Sequence, residues 1–565
     1  MKTPWTDEID YNNPLPEYPR PQMTRPNYLM LNGAWDYTIN KSNKFPKNYD
    51  GTIVVPFSPE CELSGVERTI GKNEYLWYRR DVTIPTAFSG KRVLLHFGAV
   101  DREATVWVNN AQVASHVGGY LPFEADITDA ITDSDRMIIT VRVSDDTDKG
   151  TGTRGKQKTK RGGIWYTPQS GIWQSVWAEA VPESYVKSLT ILPDYDNAEV
   201  KIDAVLSGEG EAYAHFDGKD YLLPASVPVP DFEAWSPEYP KLYPFSVTYG
   251  QDRVQSYFAM RKYSVKKDEK GIPRLFLNNE PYFQNGVLDQ GYWSDGMYTA
   301  PTDDALAYDI RMAKAMGFNM IRKHIKIEPL RWYYHCDRIG MIVWQDMPCG
   351  GGRYSPLIVS SPLVTGMNLK DSAYALFGRG DSEGRNSFKT ELLGMIRHLY
   401  NCPCIGMWVP FNEGWGQFDS KKLCSAIESI DRSRVIDHAS GWHDQGYGKV
   451  RSYHVYFKPY RFKKDKSGRA VLLSEFGGYS HKVPGHTFNN KYFGYKKFEM
   501  PAQLEFAIED LYADEIRPAV SMGLSAAVYT QLTDVEDELN GIMTFDRKIN
   551  KIAPEKMREY ISIHL

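Results

Sequence analysis

Two glutamates sit at similar places in the chain. In "MWVPFNEGWG" (Met407–Gly416) an apolar run ends at Asn412 and Glu413, and in "VLLSEFGG" (Val471–Gly478) another ends at Glu475 before a glycine pair. Short apolar runs bounded by glycine read as buried strands. A single carboxylate at such a strand end has a bland reading, as a surface residue or half of a salt bridge. Two of them favour chemistry. Glycosidic cleavage needs two carboxyls facing each other across a pocket: one protonated, to help the leaving oxygen depart, the other ionised, to attack or to activate water. Like-charge proximity holds one pKa up, which supplies an acid at neutral pH.

Neighbouring residues extend the candidate site. Asn412 is placed to hydrogen-bond the sugar hydroxyl next to the reacting carbon. Trp415, Trp442 and Tyr456 offer faces for ring stacking, whereas Trp408 reads as core. Asp346 closes another apolar run, "MIVWQDM". His324 and His454 are candidates for substrate contact, although a lone histidine more often has a structural role.

These residues need a scaffold that gathers strand ends. After about residue 270 the pattern alternates strand and helix. Strands are expected at "FQNGVLD", "NMIRKHI", "MIVWQDM", "IGMWVPF", "RVIDHAS", "VRSYHVY", "VLLSEFG" and "SAAVYTQ". Helices are expected from about Asp303 to Met316, between Pro329 and Gly340, over "FKTELLGMIRHLY", within Gln503–Met522 and over about 553–563. Eight strands alternating with helices over roughly 300 residues predict a (β/α)8 barrel, whose strands deliver catalytic groups at their C-terminal ends. An open doubly wound sheet would place a glycine-rich phosphate loop after its first strand, and none is present.

Ahead of the barrel the periodicity is two. "YRRDVTI", "KRVLLHFGAV", "EATVWVNN", "RMIITVRV" and "IWQSVWAEA" predict a β jelly roll over residues 1–180. "SLTILPDY", "AEVKIDAVL" and "FSVTYG" predict an immunoglobulin-like sandwich over 181–263. The barrel then occupies 264–565.

The whole composition agrees with a multidomain globular protein. The 565 residues are too many for one small core. A net charge of −4 gives no reason to expect nucleic acid or a membrane surface. The first residues lack the apolar stretch of a signal peptide, so a cytoplasmic setting is expected. Six scattered cysteines make no disulfide framework, and Cys402–Pro403–Cys404 lacks a second pair at zinc-site spacing. The 14 Trp and 37 Tyr suit either sugar stacking or many small β-domains.

At these motifs the chain resembles glycoside hydrolase family 2, the group that contains β-galactosidases, β-glucuronidases and β-mannosidases. "FGAVDREATVWVNN" and "GIWQSVWAE" look like its sugar-binding jelly roll, "WSPEYPKLY" like its middle domain, and "GFNMIRKH", "WYYHCDRIG", "FNEGWG" and "SEFGG" like its barrel. The resemblance implies that Glu413 is the general acid/base and Glu475 the nucleophile of a retaining exo-β-glycosidase, most like a β-galactosidase. A glycoside or oligosaccharide is the implied substrate. Arg322, Asn412, Tyr456 and Gln531 are the expected sugar contacts. A β-mannosidase, β-glucuronidase or arabinosidase stays open, as does a carbohydrate-binding protein without catalysis and a homo-oligomeric state.

Departures from the family pattern bear on substrate and metal. Where members often carry Arg-x-Ser-His-Tyr-Pro, Arg322 is followed by "KHIK", so His324 falls one position early. Asn401–Cys402–Pro403 replaces the usual Asn-His-Pro, and no cofactor, magnesium included, is expected. The Asn-x-Lys of β-glucuronidases is missing where Asn540 is followed by Gly541, which speaks against a glucuronide. Gln531 stands in the region of the usual late tryptophan. Finally, "KGTGTRGKQKTKRGG" (Lys149–Gly163) holds six basic residues and no acid. It reads either as a solvated loop or as a segment that reaches over the barrel mouth to meet an acidic or extended sugar.

Overall fold

The computed structural model describes residues 1–133 and 135–563. Its first unit is a jelly-roll sandwich. A four-stranded sheet containing Arg92–Phe97 and Val176–Val181 packs on a six-stranded sheet containing Tyr75–Thr83, Glu103–Val108 and Arg136–Ser144. Alternation along Glu103–Val108 sends Ala104, Val106 and Val108 inward. The sequence reading missed Gly33–Asn40, Gly51–Val55 and Ala111–Val117, which also belong to the larger sheet. Ala111–Val117 lies mostly exposed at a sheet edge, so its pattern carries little apolar signal.

The second unit has three- and four-stranded antiparallel sheets spanning Val186–Phe258. Seven strands in two sheets match the expected immunoglobulin-like sandwich. Trp235 from the "WSPEYP" stretch is fully buried against the barrel, and its indole donates to the Asp337 carbonyl at 2.8 Å. The tryptophan therefore fastens this unit to a barrel helix.

The barrel strands are β1 (Gln284–Asp289), β2 (Met320–Lys323), β3 (Ile342–Asp346), β4 (Ile405–Val409), β5 (Val435–Ile436), β6 (Val450–Val455), β7 (Ala470–Gly477) and β8 (Leu524–Thr530). They pair in parallel in the order 5-4-3-2-1-8-7-6. Across the remaining seam, the Ser452 hydroxyl donates to Asp437 Oδ1 at 2.9 Å and to the Ala439 carbonyl at 3.3 Å. The helices include α1 (Asp303–Ala315), α2 (Leu330–Ile339), α3 (Ser382–His398), α4 (Ser420–Ile430), α5 (Pro501–Asp510) and α6 (Pro554–Ile561). Thr302 caps α1 by accepting from the Ala305 amide. Gly340 ends α2 in the left-handed region with φ 82°. Helix α4 escaped the sequence reading, because it follows directly on the functional-looking "EGWGQFD" stretch and only Leu423, Cys424 and Ile427 form its apolar side.

The chain's first residues lie on the barrel. Trp5 packs edge-on against Trp293, and the hydroxyls of Thr3 and Thr6 each reach Asp295 Oδ2 at 2.6 Å. The Lys149–Gly163 loop also leaves the jelly roll for the barrel. Arg154 donates to the carbonyls of Gly351 and Gly352, and Arg161 pairs with Glu536 and Asp537 in the loop after β8. The loop is therefore held against the barrel rather than solvated along its length.

Among the described residues, no helix is long and apolar enough to cross a membrane.

Candidate active site

Strand β4 ends at Val409, and Pro410–Phe411 lead out to Asn412 and Glu413. The Glu413 amide donates to the Ser440 carbonyl, and the Ser440 amide returns a bond to Phe411. These bonds anchor the segment to the turn after β5. Glu413 itself has φ 50°, a left-handed conformation costly for a non-glycine residue. That twist turns its side chain back over the mouth. Gly416, at φ 62°, permits the following turn: a Cβ there would lie 2.4 Å from the Gly350 carbonyl oxygen.

Glu475 arrives differently. It lies inside β7 rather than just past its end, and the register of β7 against β6 shifts between Leu473 and Glu475. The extra residue, Ser474, re-aims Glu475 into the barrel.

The fully buried Arg322, from β2, organises the floor. Its Nε and one terminal nitrogen clamp Asp346 at 3.0 Å each, and that same nitrogen donates to Asn412 Oδ1 at 2.7 Å. The other terminal nitrogen donates to Glu475 Oε1 and to the Ser474 carbonyl, each at 3.1 Å. The Tyr456 hydroxyl donates to Glu475 Oε2 at 2.6 Å and lies 3.0 Å from the Thr530 hydroxyl. Between the two glutamates stands His454. Its Nδ1 is 2.8 Å from Glu413 Oε1 and 3.5 Å from Glu475 Oε2. Its ring is placed partly by Gly441, where a Cβ would come 2.8 Å from His454 Cγ.

One oxygen of each glutamate and a nitrogen of His454 all lie within 4.8 Å of one another. This trio is a poor cradle for magnesium, which takes oxygen ligands in near-ideal octahedral geometry. An imidazole supplies one corner, and the Arg322 cation already occupies a Glu475 oxygen. Cys402, in the stretch that departs from Asn-His-Pro, is buried ahead of β4, at the strand's opposite end from Glu413. Next to it, Asn401 bonds the backbone of Leu189 and Ile191 in the second sandwich.

Burial shifts several ionisable groups of the site. Burial pushes Glu413 up to about 7, against the lowering effect of Lys156 and Arg322. Burial likewise pushes Asp346 up to about 7 even in the Arg322 clamp, with Glu475 and Asp437 adding to the rise. Burial takes His454 down to about 4 and His324 well below its ordinary value, so both are neutral imidazoles near pH 7.

The residues singled out in the sequence converge here. Arg322, His324, Asp346, Asn412, Glu413, His454, Tyr456 and Glu475 form one contact set, and Gln531 joins it through Gln290, which bonds His324. Three aromatics play parts other than open stacking walls. Trp442 sits behind His454, edge-on at 5.4 Å, and its indole donates to the Glu413 carbonyl. Tyr456 has one face covered by Tyr495 at 3.9 Å and points its hydroxyl at Glu475. Trp408 is core, bonded to Asp431. Trp415 is buried near His324, packed beside Trp165 at 5.1 Å and Tyr354 at 6.1 Å.

Sequence reasoning missed Ser440, Ser474, Tyr495, Gln290, Tyr166 and Glu538. The acidic "DVEDEL" run after β8 and the basic loop were the signals that could have paired Lys156 with Glu538, which lie 3.2 Å apart.

Two sandwiches leading into a parallel barrel with paired carboxyls at its mouth is an architecture of carbohydrate-active barrel proteins. A family model described as "Glycosyl hydrolases family 2, TIM barrel domain" matches residues 273–561, and the family's "sugar binding domain" matches 66–177. The chain belongs to glycoside hydrolase family 2. It is 25% identical over 440 residues to a β-galactosidase of Thermoanaerobacter pseudethanolicus, covering 72% of this chain and 54% of that one. It is 26% identical over 458 residues to a β-glucuronidase of Paenibacillus borealis, covering 74% and 73%. The chain thus spans about half the length of the first of these relatives. Among solved structures, a Ruminococcus gnavus β-glucuronidase in complex with uronic isofagomine superposes with TM-score 0.75 at 17% identity, covering 98% of this chain and 100% of that one.

Proposed function

We infer that this protein is a retaining exo-β-glycosidase acting on a neutral sugar, most like a β-galactosidase. Glu475 attacks the anomeric carbon and forms a glycosyl-enzyme while Glu413 protonates the departing oxygen. Glu413 then takes a proton from the water that releases the sugar. The observation that carries the reading is the approach of the two carboxylates within 4.8 Å. This approach, between one oxygen of each carboxyl, supports a retaining pair, whose carboxyls lie about 5–5.5 Å apart, over an inverting pair at about 6.5–9.5 Å. The pKa of Glu413, raised to about 7, suits the acid role. Glu475 is aimed by Arg322 and Tyr456.

Asn412 supports a sugar contact as well. Its Oδ1 accepts from a guanidinium, which can only donate, so the amide orientation is fixed and Nδ2 faces outward. Nδ2 is buried and has no acceptor. A hydroxyl beside the anomeric carbon satisfies it.

The pairing of two of the loop's cations with acids supports a neutral sugar over a uronic one. Lys156 is paired with Glu538, and Arg161 with Glu536 and Asp537. The second reading, a β-glucuronidase, draws on the names of several relatives. Turnover of a panel of aryl β-glycosides, with the anomer of the first product read by NMR, tests the proposal. Retained configuration on β-galactosides is expected. Preference for β-glucuronides would replace the substrate assignment, and inverted product would refute the mechanism.

A further inference from the structure

A run of buried hydrogen bonds leads from the basic loop to the site. Lys156 Nζ, at 3.2 Å, and the Tyr166 hydroxyl both donate to Glu538 Oε2. Glu538 Oε1 accepts from Asn540 Nδ2 at 3.3 Å, and Asn540 Oδ1 accepts from Gln531 Nε2 at 3.1 Å. Gln531 Oε1 accepts from Gln290 Nε2 at 2.7 Å, and Gln290 Oε1 lies 2.9 Å from His324 Nδ1. His324 comes within 3.7 Å of Glu475 Oε1, and all of these side chains are buried.

The direction of this chain follows from its first member. A carboxylate held by an ammonium and a phenol can only accept. Asn540 must then turn its NH2 toward Glu538 and its oxygen toward Gln531. The same constraint passes through Gln531 and Gln290, whose oxygen meets the histidine. That oxygen requires a donor, so the proton of a neutral His324 belongs on Nδ1. Nε2 is left as a bare acceptor. The ring lies beside the Asn412 side chain, and Nε2 is buried without a hydrogen bond, 3.7 Å from Glu475 Oε1 and 3.8 Å from Asp346 Oδ2.

We propose that Glu538 acts as a positioning residue, which through Asn540, Gln531 and Gln290 fixes the Nδ1–H tautomer of His324 and so presents Nε2 as the acceptor for a substrate hydroxyl. The competing arrangement puts a proton on Nε2, where it would face the two carboxylates. A neutral ring cannot do this without leaving the Gln290 oxygen opposite a lone pair. The charged ring could, and it is opposed by burial and by the nearby Arg322, Lys156 and His454. The hydroxyl contact rests on the glycosidase reading given above, whereas the tautomer does not.

The experiment reads ring nitrogens by 15N NMR in histidine-labelled protein without substrate, the His324 signals being assigned by their loss in His324→Gln. Wild type is expected to show a protonated Nδ1 and a bare Nε2. Glu538→Gln keeps an oxygen for Lys156 and Tyr166 but adds an NH2 that can donate to Asn540, so the chain can reverse. The His324 proton is then expected to move wholly or partly to Nε2, with kcat/KM down about tenfold. Lys156→Met leaves Glu538 accept-only, and the wild-type tautomer is expected to persist. In the double variant Glu538→Gln, Gln531→Glu a new accept-only group stands nearer the ring, and the tautomer is expected to return. A protonated Nε2 in wild type, or His324 signals unmoved by Glu538→Gln, would overturn the proposal. Because the signals are read without turnover, inactivity on every glycoside would leave this result standing while defeating the functional reading.

Discussion

Arg25 and Arg322 are buried alike and clamp an aspartate alike, yet they do different work. Arg25 grips Asp252 with two bonds of 2.9 and 2.8 Å, reaches Glu179 at 3.0 Å and donates to the Val186 carbonyl. Its partners come from the jelly roll and the second sandwich, so it ties the N-terminal segment to both units. Burial alone would raise the Glu179 carboxyl, but Arg20, His96 and Arg25 hold it well below the usual range. Arg322 makes a like set of bonds, but around it Asp346 and Glu413 rise to about 7. More acids share that cation than it can neutralise. Two buried polar atoms next to it, Asn412 Nδ2 and His324 Nε2, make no hydrogen bond. A buried ion pair is therefore no sign of a site in itself. Excess acid and orphaned atoms aimed at one space are.

Substitutions can break this comparison. The largest effect is expected from Glu475→Ala, which removes the attacking group and should lower kcat on aryl glycosides by about 10⁴-fold or more with the melting temperature nearly unchanged. Residual turnover near wild type would remove Glu475 from the nucleophile's role. Next come the two arginines. Either Arg→Met change strands buried carboxylates and should destabilise by about 3–5 kcal/mol. Arg25→Met should leave kcat/KM of the folded protein within about twofold, since nothing it touches faces the mouth. Arg322→Met should also cost about 10²–10³-fold in kcat, because Glu475 and Asn412 lose their aim. Equal catalytic losses would erase the distinction drawn here.

The contrast also explains how much was legible beforehand. Glu413 and Glu475 could be found because barrel strands are apolar runs and their ends break that pattern sharply. The barrel was legible for the same reason, since parallel strands are buried on both faces. The sandwiches were legible as classes but not strand by strand, because strands such as Ala111–Val117 show the solvent as much as the core. What could not be read were contacts between segments far apart in sequence. Glu538 and Lys156 are separated by 382 positions, and no local pattern joins them. Trp442 and Tyr456 were placed in the right region with the wrong orientation, because composition identifies an aromatic ring but not which side of it is already covered.

The smallest expected effect concerns pH. If Glu413 is the acid, kcat/KM should fall on the basic side near pH 7, as the carboxyl raised to about 7 loses its proton. For stability the sign runs the same way. A carboxyl whose folded pKa lies above its ordinary value of 4.5 contributes fully at low pH, and that contribution is lost as pH rises through about 7. Lys156 opposes the rise and Glu538 adds to it. Lys156→Met should therefore move the basic limb to higher pH, by on the order of half a unit, and Glu538→Gln should move it lower. The Arg25 cluster offers the control: Arg25→Met should leave the limb where it stands. A limb that follows Arg25 but not Lys156 would mean that the acid on the basic side is some other group than Glu413.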